Sequence, residues 1–388
     1  MTGALLSSAM PLALAVALLA RQDEAFPRFA RHRIDAIGSR LGQTALVDMD
    51  RDGDLDWIAG SSASAGGTIW WWEYRGPDRW VRRVIGVGNT DVGGALHDVN
   101  GDGWLDMLSG SRLLLSSGDP RSHPFRAHDV GTIYSHDTIF ADVDGDGRQD
   151  AVANSDRTGL FWYRVPDDPA TSWPSRTIAP ADEHEVHGGI APRGAGDVDG
   201  DGDTDIVTAG AWYENTDGKG LTWRAHRTLD FGTPDKYGLA VRSWLADLEG
   251  DGDLDLVQTE ADASDARVAW FANDGRGGWT RHLIRDRGQR QDFHALVVAD
   301  FDGDGDMDVF SGTAPLTAPG RHACYIWENL AGAAGSPATA GWREHLVAEM
   351  PCHEPAGGDV DGDGDVDLVC KPWSTGNEHV YLRNLAIE

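Results

Sequence analysis

Seven copies of one nine-residue acidic loop constrain this chain more than any other feature. They occupy residues 48–56 (DMDRDGDLD), 98–106 (DVNGDGWLD), 142–150 (DVDGDGRQD), 197–205 (DVDGDGDTD), 247–255 (DLEGDGDLD), 300–308 (DFDGDGDMD) and 359–367 (DVDGDGDVD). Successive starts lie 50, 44, 55, 50, 53 and 59 residues apart. That period is too long for a leucine-rich or paired-helix repeat and fits a four-stranded blade with its connections. Each unit carries an apolar segment before the loop (A), another after it (B), an aromatic segment such as VAWFAN at 268–273 (C), and a Trp-led segment such as WTRHLIR at 279–285 (D). The last unit ends after its C segment, whereas residues 29–37 (FARHRIDAI) have the D pattern and precede the first A segment. The expectation is an all-β fold: a seven-bladed β-propeller of four-stranded antiparallel blades. An N-terminal strand would complete the last blade and remove the exposed sheet edges.

The charge has an unusual distribution. Sixty-three acids against 33 Lys and Arg give −30, which excludes a role resting on a basic footprint for nucleic acid or anionic lipid. The seven loops hold 32 acids and two arginines, which leaves 31 acids and 31 bases elsewhere. A solvated acidic surface would spread its charge, and this chain concentrates all of it in the repeat. Hard divalent cations take several oxygens from a tight loop with Gly at the sharp turn, and positions one, three, five and nine supply side-chain oxygens. The candidate ligands are Asp48, Asp50, Asp52 and Asp56; Asp98, Asn100, Asp102 and Asp106; Asp142, Asp144, Asp146 and Asp150; Asp197, Asp199, Asp201 and Asp205; Asp247, Glu249, Asp251 and Asp255; Asp300, Asp302, Asp304 and Asp308; and Asp359, Asp361, Asp363 and Asp367. Up to seven structural Ca²⁺ are expected. Ion-free Asp-Gly turns are the alternative, although a turn does not require four ligands at fixed offsets.

Residues 11–20 (PLALAVALLA) are too short to span a bilayer and read as a secretory segment. Residues 1–25 are therefore expected to be a leader, residues 26–388 the propeller, and the location secreted or periplasmic, with no membrane span. Of three cysteines, Cys352 and Cys370 flank the last A–B hairpin and suit a bridge. Cys352, beside His353, would otherwise offer a thiolate to a metal.

In a propeller the A strands line the channel, so residues at one offset before the loop share a height. His136, His294 and His353 each stand six positions before their loop, and His187 ten before its own in a longer Gly-rich approach. Converging imidazoles suit Zn²⁺ or a similar ion in the central channel; simple filling of polar channel space is the alternative. Tyr237, Arg242 and Lys371 belong to the same face, as does Trp373, which would stack on a sugar. His136, His187, His294, His353, Tyr237, Arg242 and Lys371 are the candidate catalytic set.

On its seven DxDxDG-type loops the chain resembles a VCBS/FG-GAP repeat propeller across residues 26–388. Residues 358–373 (GDVDGDGDVDLVCKPW) and the WxxH pattern of the D segments are also similar to the propeller domain of aldos-2-ulose dehydratase-like proteins, with ulvan-lyase-type polysaccharide lyases more distant. This resemblance implies β-elimination on a keto-sugar or uronate at the channel mouth. The other reading is a non-catalytic, calcium-stabilised propeller that binds glycan or protein. Carbohydrate is the expected partner in the first case.

Overall fold

The computed structural model describes residues 26–387 apart from 134, 156, 182–186, 236–237, 289, 315–321 and 333–334. The secretory segment at 11–20 and the candidate Tyr237 lie outside the described residues.

Seven four-stranded antiparallel blades form a propeller ring. The first pairs Leu41–Val47, Asp56–Ser61, Thr68–Tyr74 and Trp80–Val87 in that order. The fifth and sixth repeat it with Val268–Asn273 and Cys324–Asn329 as third strands, and Trp279–Arg285 and Trp342–Ala348 as fourth. In the seventh, Ala356–Gly358, Asp367–Cys370 and Glu378–Asn384 are joined by Phe29–Ala36, with Phe29 opposite Asn384 and Ala36 opposite Glu378. One pairing departs from the antiparallel rule. Pro192–Arg193 lies parallel to Ser243–Trp244 and ties the long approach of blade four to the innermost strand of blade five.

Burial follows position within the blade. Second and third strands are covered on both faces by neighbouring blades, so they read as nearly continuous apolar runs; Val268–Asn273 is buried at five of six positions. Fourth strands form the solvent-facing edge: no position of Trp279–Arg285 is buried and three of its seven are exposed. Among the described residues, seven apolar clusters occupy the seven blade interfaces. Trp71, Trp162, Trp212, Trp270 and Trp327 are buried in them, so these indoles are core.

Each acidic loop is held by the same bonds. The position-six glycine sits at positive φ, for example Gly305 at 99°, and its N–H donates to the position-one aspartate, Gly305 to Asp300 at 3.0 Å. The position-nine aspartate is buried and accepts two backbone N–H groups, one from position two and one from the end of the third strand or just beyond it. Asp308 does this with Phe301 at 3.1 Å and Asn329 at 2.8 Å. Position nine is thus a tie between loop and sheet as well as a candidate ligand. Side-chain amides then link neighbours: Asn215, Asn273 and Asn384 donate to Val143, Val198 and Phe301 carbonyls in the preceding blades.

His379 marks the junction of blades seven and one. Its Nδ1 lies 3.0 Å from the Trp57 indole N–H and its Nε2 3.1 Å from the Ile37 carbonyl. The first bond needs a lone pair and the second a proton, so the ring is neutral. Burial first, then Lys371, pushes its pKa down to about 4. A histidine held below its unfolded value stabilises the fold above about pH 6.5 and withdraws that contribution as pH falls towards 4. Between pH 7 and 5 the loss amounts to about 2 kcal/mol. Urea unfolding of wild type and His379→Gln at the two pH values checks this: the variant's stability should fall by that much less.

Candidate functional site

The innermost strands stack side chains in layers. His136, His294 and His353 stand six positions before their loops, and Asp137, Arg242 and Glu354 five before theirs. The first layer gathers imidazoles and the second places ion pairs at the wall of a central cavity of about 680 Å³, lined by the innermost strands of six blades and by Ala191, Pro192 and Arg193 in the approach of blade four.

The structure brings the four histidines together. The rings of His136 and His187 are 4.1 Å apart, and those of His294 and His353 are stacked at 4.3 Å. His187 Nε2 and His294 Nε2 lie 3.9 and 3.7 Å from one atom, Asp262 Oδ2. His294 and His353 are buried, whereas His136 and His187 keep 17% and 16% of their side-chain surface. Gly188 leaves room for the cluster, because a Cβ there would stand 3.1 Å from His136 Nδ1. Trp373 closes one flank, 5.1 Å from the His353 ring.

Beneath the imidazoles runs a chain of charges. Asp137 is wholly buried; its Oδ2 accepts N–H groups of Gly189 at 2.8 Å and Ala191 at 3.2 Å, and its Oδ1 meets His136 Nδ1 at 3.1 Å and the Arg242 guanidinium at 3.2 Å. Arg242 also reaches Glu354 at 3.5 Å, and Glu354 lies 3.3 Å from Lys371 Nζ. Lys371 is fully buried; its Nζ donates to the Leu41 carbonyl and lies 2.9 Å from His353 Nδ1. The Cys352–Cys370 disulfide staples the strands just before His353 and Lys371, and Cys324 is the buried free thiol.

Burial dominates the electrostatics, and the partners decide the outcome. Burial would raise the Asp137 carboxyl, but Arg242, then His136 and Gly189, hold it far below the usual range. Burial likewise opposes ionisation of Asp262, yet His294 and His187 bring it down to about 2. His294 is depressed by burial and more than restored by Asp262, so its pKa is raised. His353 is depressed by burial and further by Lys371, His294 and Arg242. Burial lowers Lys371 to about 8 despite Glu354.

Sequence reasoning did not single out Asp262, because it lies beyond the fifth B strand in a connection that no other blade repeats. Its backbone is left-handed, φ 54°, as is that of Glu354, φ 48°. Among the described residues five non-glycines have positive φ, and the two that are carboxylates both belong to this cluster, where the fold holds strained backbone. Asp137 and Glu354 each follow a layer histidine directly, and the shared offset with Arg242 is a signal available in the sequence.

Two donor sets suit metal ions. In the acidic loops, carboxylate oxygens of Asp142, Asp144 and Asp146, of Asp197, Asp199 and Asp205, and of Asp300, Asp302 and Asp304 lie within 4.8 Å of one another. Asp142 Oδ1, Asp199 Oδ1 and Asp361 Oδ1 are buried without hydrogen-bond partners, a costly state that a hard cation relieves. Arginines meet part of the charge in blades one, three and seven: Arg75 binds Asp52 at 2.5 Å, Arg164 binds Asp146 at 2.5 Å and Arg383 binds Asp361 at 2.6 Å. At the centre, the imidazoles of His187 and His294 with Asp262 form a nitrogen and oxygen set suited to a borderline divalent ion.

Residues 247–311, from the acidic loop of blade five into the second strand of blade six, match the FG-GAP-like repeat. The fold and this match define a β-propeller containing an FG-GAP-like repeat. No match was found among curated proteins. No helix among the described residues is long and apolar enough to cross a membrane.

Proposed function

We propose that the protein is a carbohydrate lyase or dehydratase, eliminating a β-substituent from a keto-sugar or uronate at the histidine cluster. The observation that carries this reading is the His136–Asp137 pair. Asp137 is ionised and its Oδ1 faces His136 Nδ1, so Nδ1 carries the proton and Nε2 keeps a lone pair. An imidazole whose Nδ1 proton is held by a fixed carboxylate presents Nε2 as a proton acceptor.

In the reaction, His136 Nε2 takes the proton from the carbon next to the substrate's carbonyl or carboxyl group. The electron pair forms a carbon–carbon double bond, and the β-hydroxyl or glycosidic oxygen departs with its bonding pair. Trp373 offers an apolar face to the sugar ring. A divalent ion held by His187, His294 and Asp262 would supply Lewis acidity towards the carbonyl oxygen. Arg242 acts one layer lower, through Asp137. Calcium in the acidic loops is structural in this reading.

The test is an ultraviolet assay for the unsaturated product over a panel of uronate polysaccharides and 2-keto sugars. Wild type should generate the absorbance with one class, and His136→Ala should lose about 10²- to 10⁴-fold in kcat, the range for a general base, while keeping its melting temperature. Sugar binding without turnover by any member would instead identify a binding module.

A further inference from the structure

The same residue type occurs twice in the site with oppositely charged partners at the same ring atom. His136 Nδ1 faces a carboxylate, Asp137, at 3.1 Å. His353 Nδ1 faces an ammonium, Lys371 Nζ, at 2.9 Å. An ammonium has three protons and no lone pair. Here it has three acceptors: the Leu41 carbonyl, Glu354 Oε2 and His353 Nδ1. His353 Nδ1 must then be the acceptor, and the proton of this neutral ring sits on Nε2.

We infer that Lys371 fixes His353 as an Nε2–H hydrogen-bond donor, while Asp137 fixes His136 as an Nε2 acceptor, so that one site holds two imidazoles in opposite tautomers. This assignment rests on the proposed elimination and deepens it. His136 removes the proton, and His353 donates to the oxygen on which negative charge develops. A neutral imidazole is a suitable donor there, because it stabilises the oxyanion without competing for the substrate's proton. Lys371 and Asp137 touch no substrate and are positioning residues. The backbone serves the same end: the His353 N–H donates to the Lys371 carbonyl at 2.7 Å, and the Cys352–Cys370 bridge precedes both residues by one position. The left-handed Glu354 brings its carboxylate between Lys371 and Arg242.

The alternative proton arrangement is definite. If Lys371 were a neutral amine, its lone pair would accept from His353 Nδ1–H, and Nε2 would become a second base. Nitrogen-15 NMR of histidine-labelled full-length protein at pH 7 distinguishes the two, with His136→Asn and His353→Asn used only to assign signals. The expected result is a pyrrole-type Nε2 and pyridine-type Nδ1 for His353, and the reverse for His136. In Lys371→Met the His353 signals should move towards the tautomer average, and kcat should fall about 10²-fold with KM little changed, as when a transition-state donor is misplaced. Lys371→Met/Glu354→Gln removes both buried charges and keeps the measurement possible if the single variant does not fold. A pyrrole-type Nδ1 on His353, or signals unmoved in both variants, overturns the inference. The expected tautomers in a protein that turns over no sugar would retain the proton assignment and refute the elimination.

Discussion

Dialysis against a chelator should lower the melting temperature by roughly 10 °C or more, and added Ca²⁺ should restore it. Thirty-two carboxylates crowd into seven loops with two arginines among them. Burial, then Asp304 and Asp300, raises Asp302 to about 6, and burial raises Asp308 to about 9 against its two backbone donors. Such groups resist ionisation unless positive charge is supplied. A loop whose free cation is at 100 times its dissociation constant gains about 2.7 kcal/mol, and three such loops about 8 kcal/mol, against a total of about 5–15 kcal/mol for an ordinary domain. Arg75, Arg164 and Arg383 should soften the effect in blades one, three and seven. Scanning calorimetry with and without chelator reads the result.

The second large effect is Asp137→Ala, which should cost about 3–5 kcal/mol, because it strands the buried Arg242 guanidinium and removes the acceptor of two backbone N–H groups. Asp137→Asn keeps the shape but can donate where it should accept, and should lose less stability while scrambling the His136 tautomer. Denaturant unfolding and the ultraviolet assay separate these consequences. Stability of Asp137→Ala within about 0.5 kcal/mol of wild type, the range of an ordinary surface change, would contradict the role given to the buried pair.

The propeller was legible because the blades repeat one code: an acidic loop at fixed phase, an apolar second strand and, in every blade but the second, whose third strand Arg112–Leu115 is RLLL, an aromatic third strand. Segment ends moved by a residue, as where the segment at 29–37 became the strand Phe29–Ala36. Loop phase also conveyed height, which is why an offset of six picked out His136, His294 and His353. Burial was not legible in this way. Lys371 and Arg242 look like free cations in sequence, yet Lys371 is spent on three acceptors and Arg242 bridges two carboxylates. Asp262 escaped because connections outside the repeat carry no phase, and its place beside His187 and His294 depends on long-range closure of the ring.

Elemental analysis of protein purified without chelator tests the central claim most directly. Cations in the seven acidic loops and one ion at His187, His294 and Asp262 predict close to seven Ca²⁺ and one Zn²⁺ or similar ion per chain, the latter lost in Asp262→Ala and the former retained. A fully folded protein that carries neither would contradict the account.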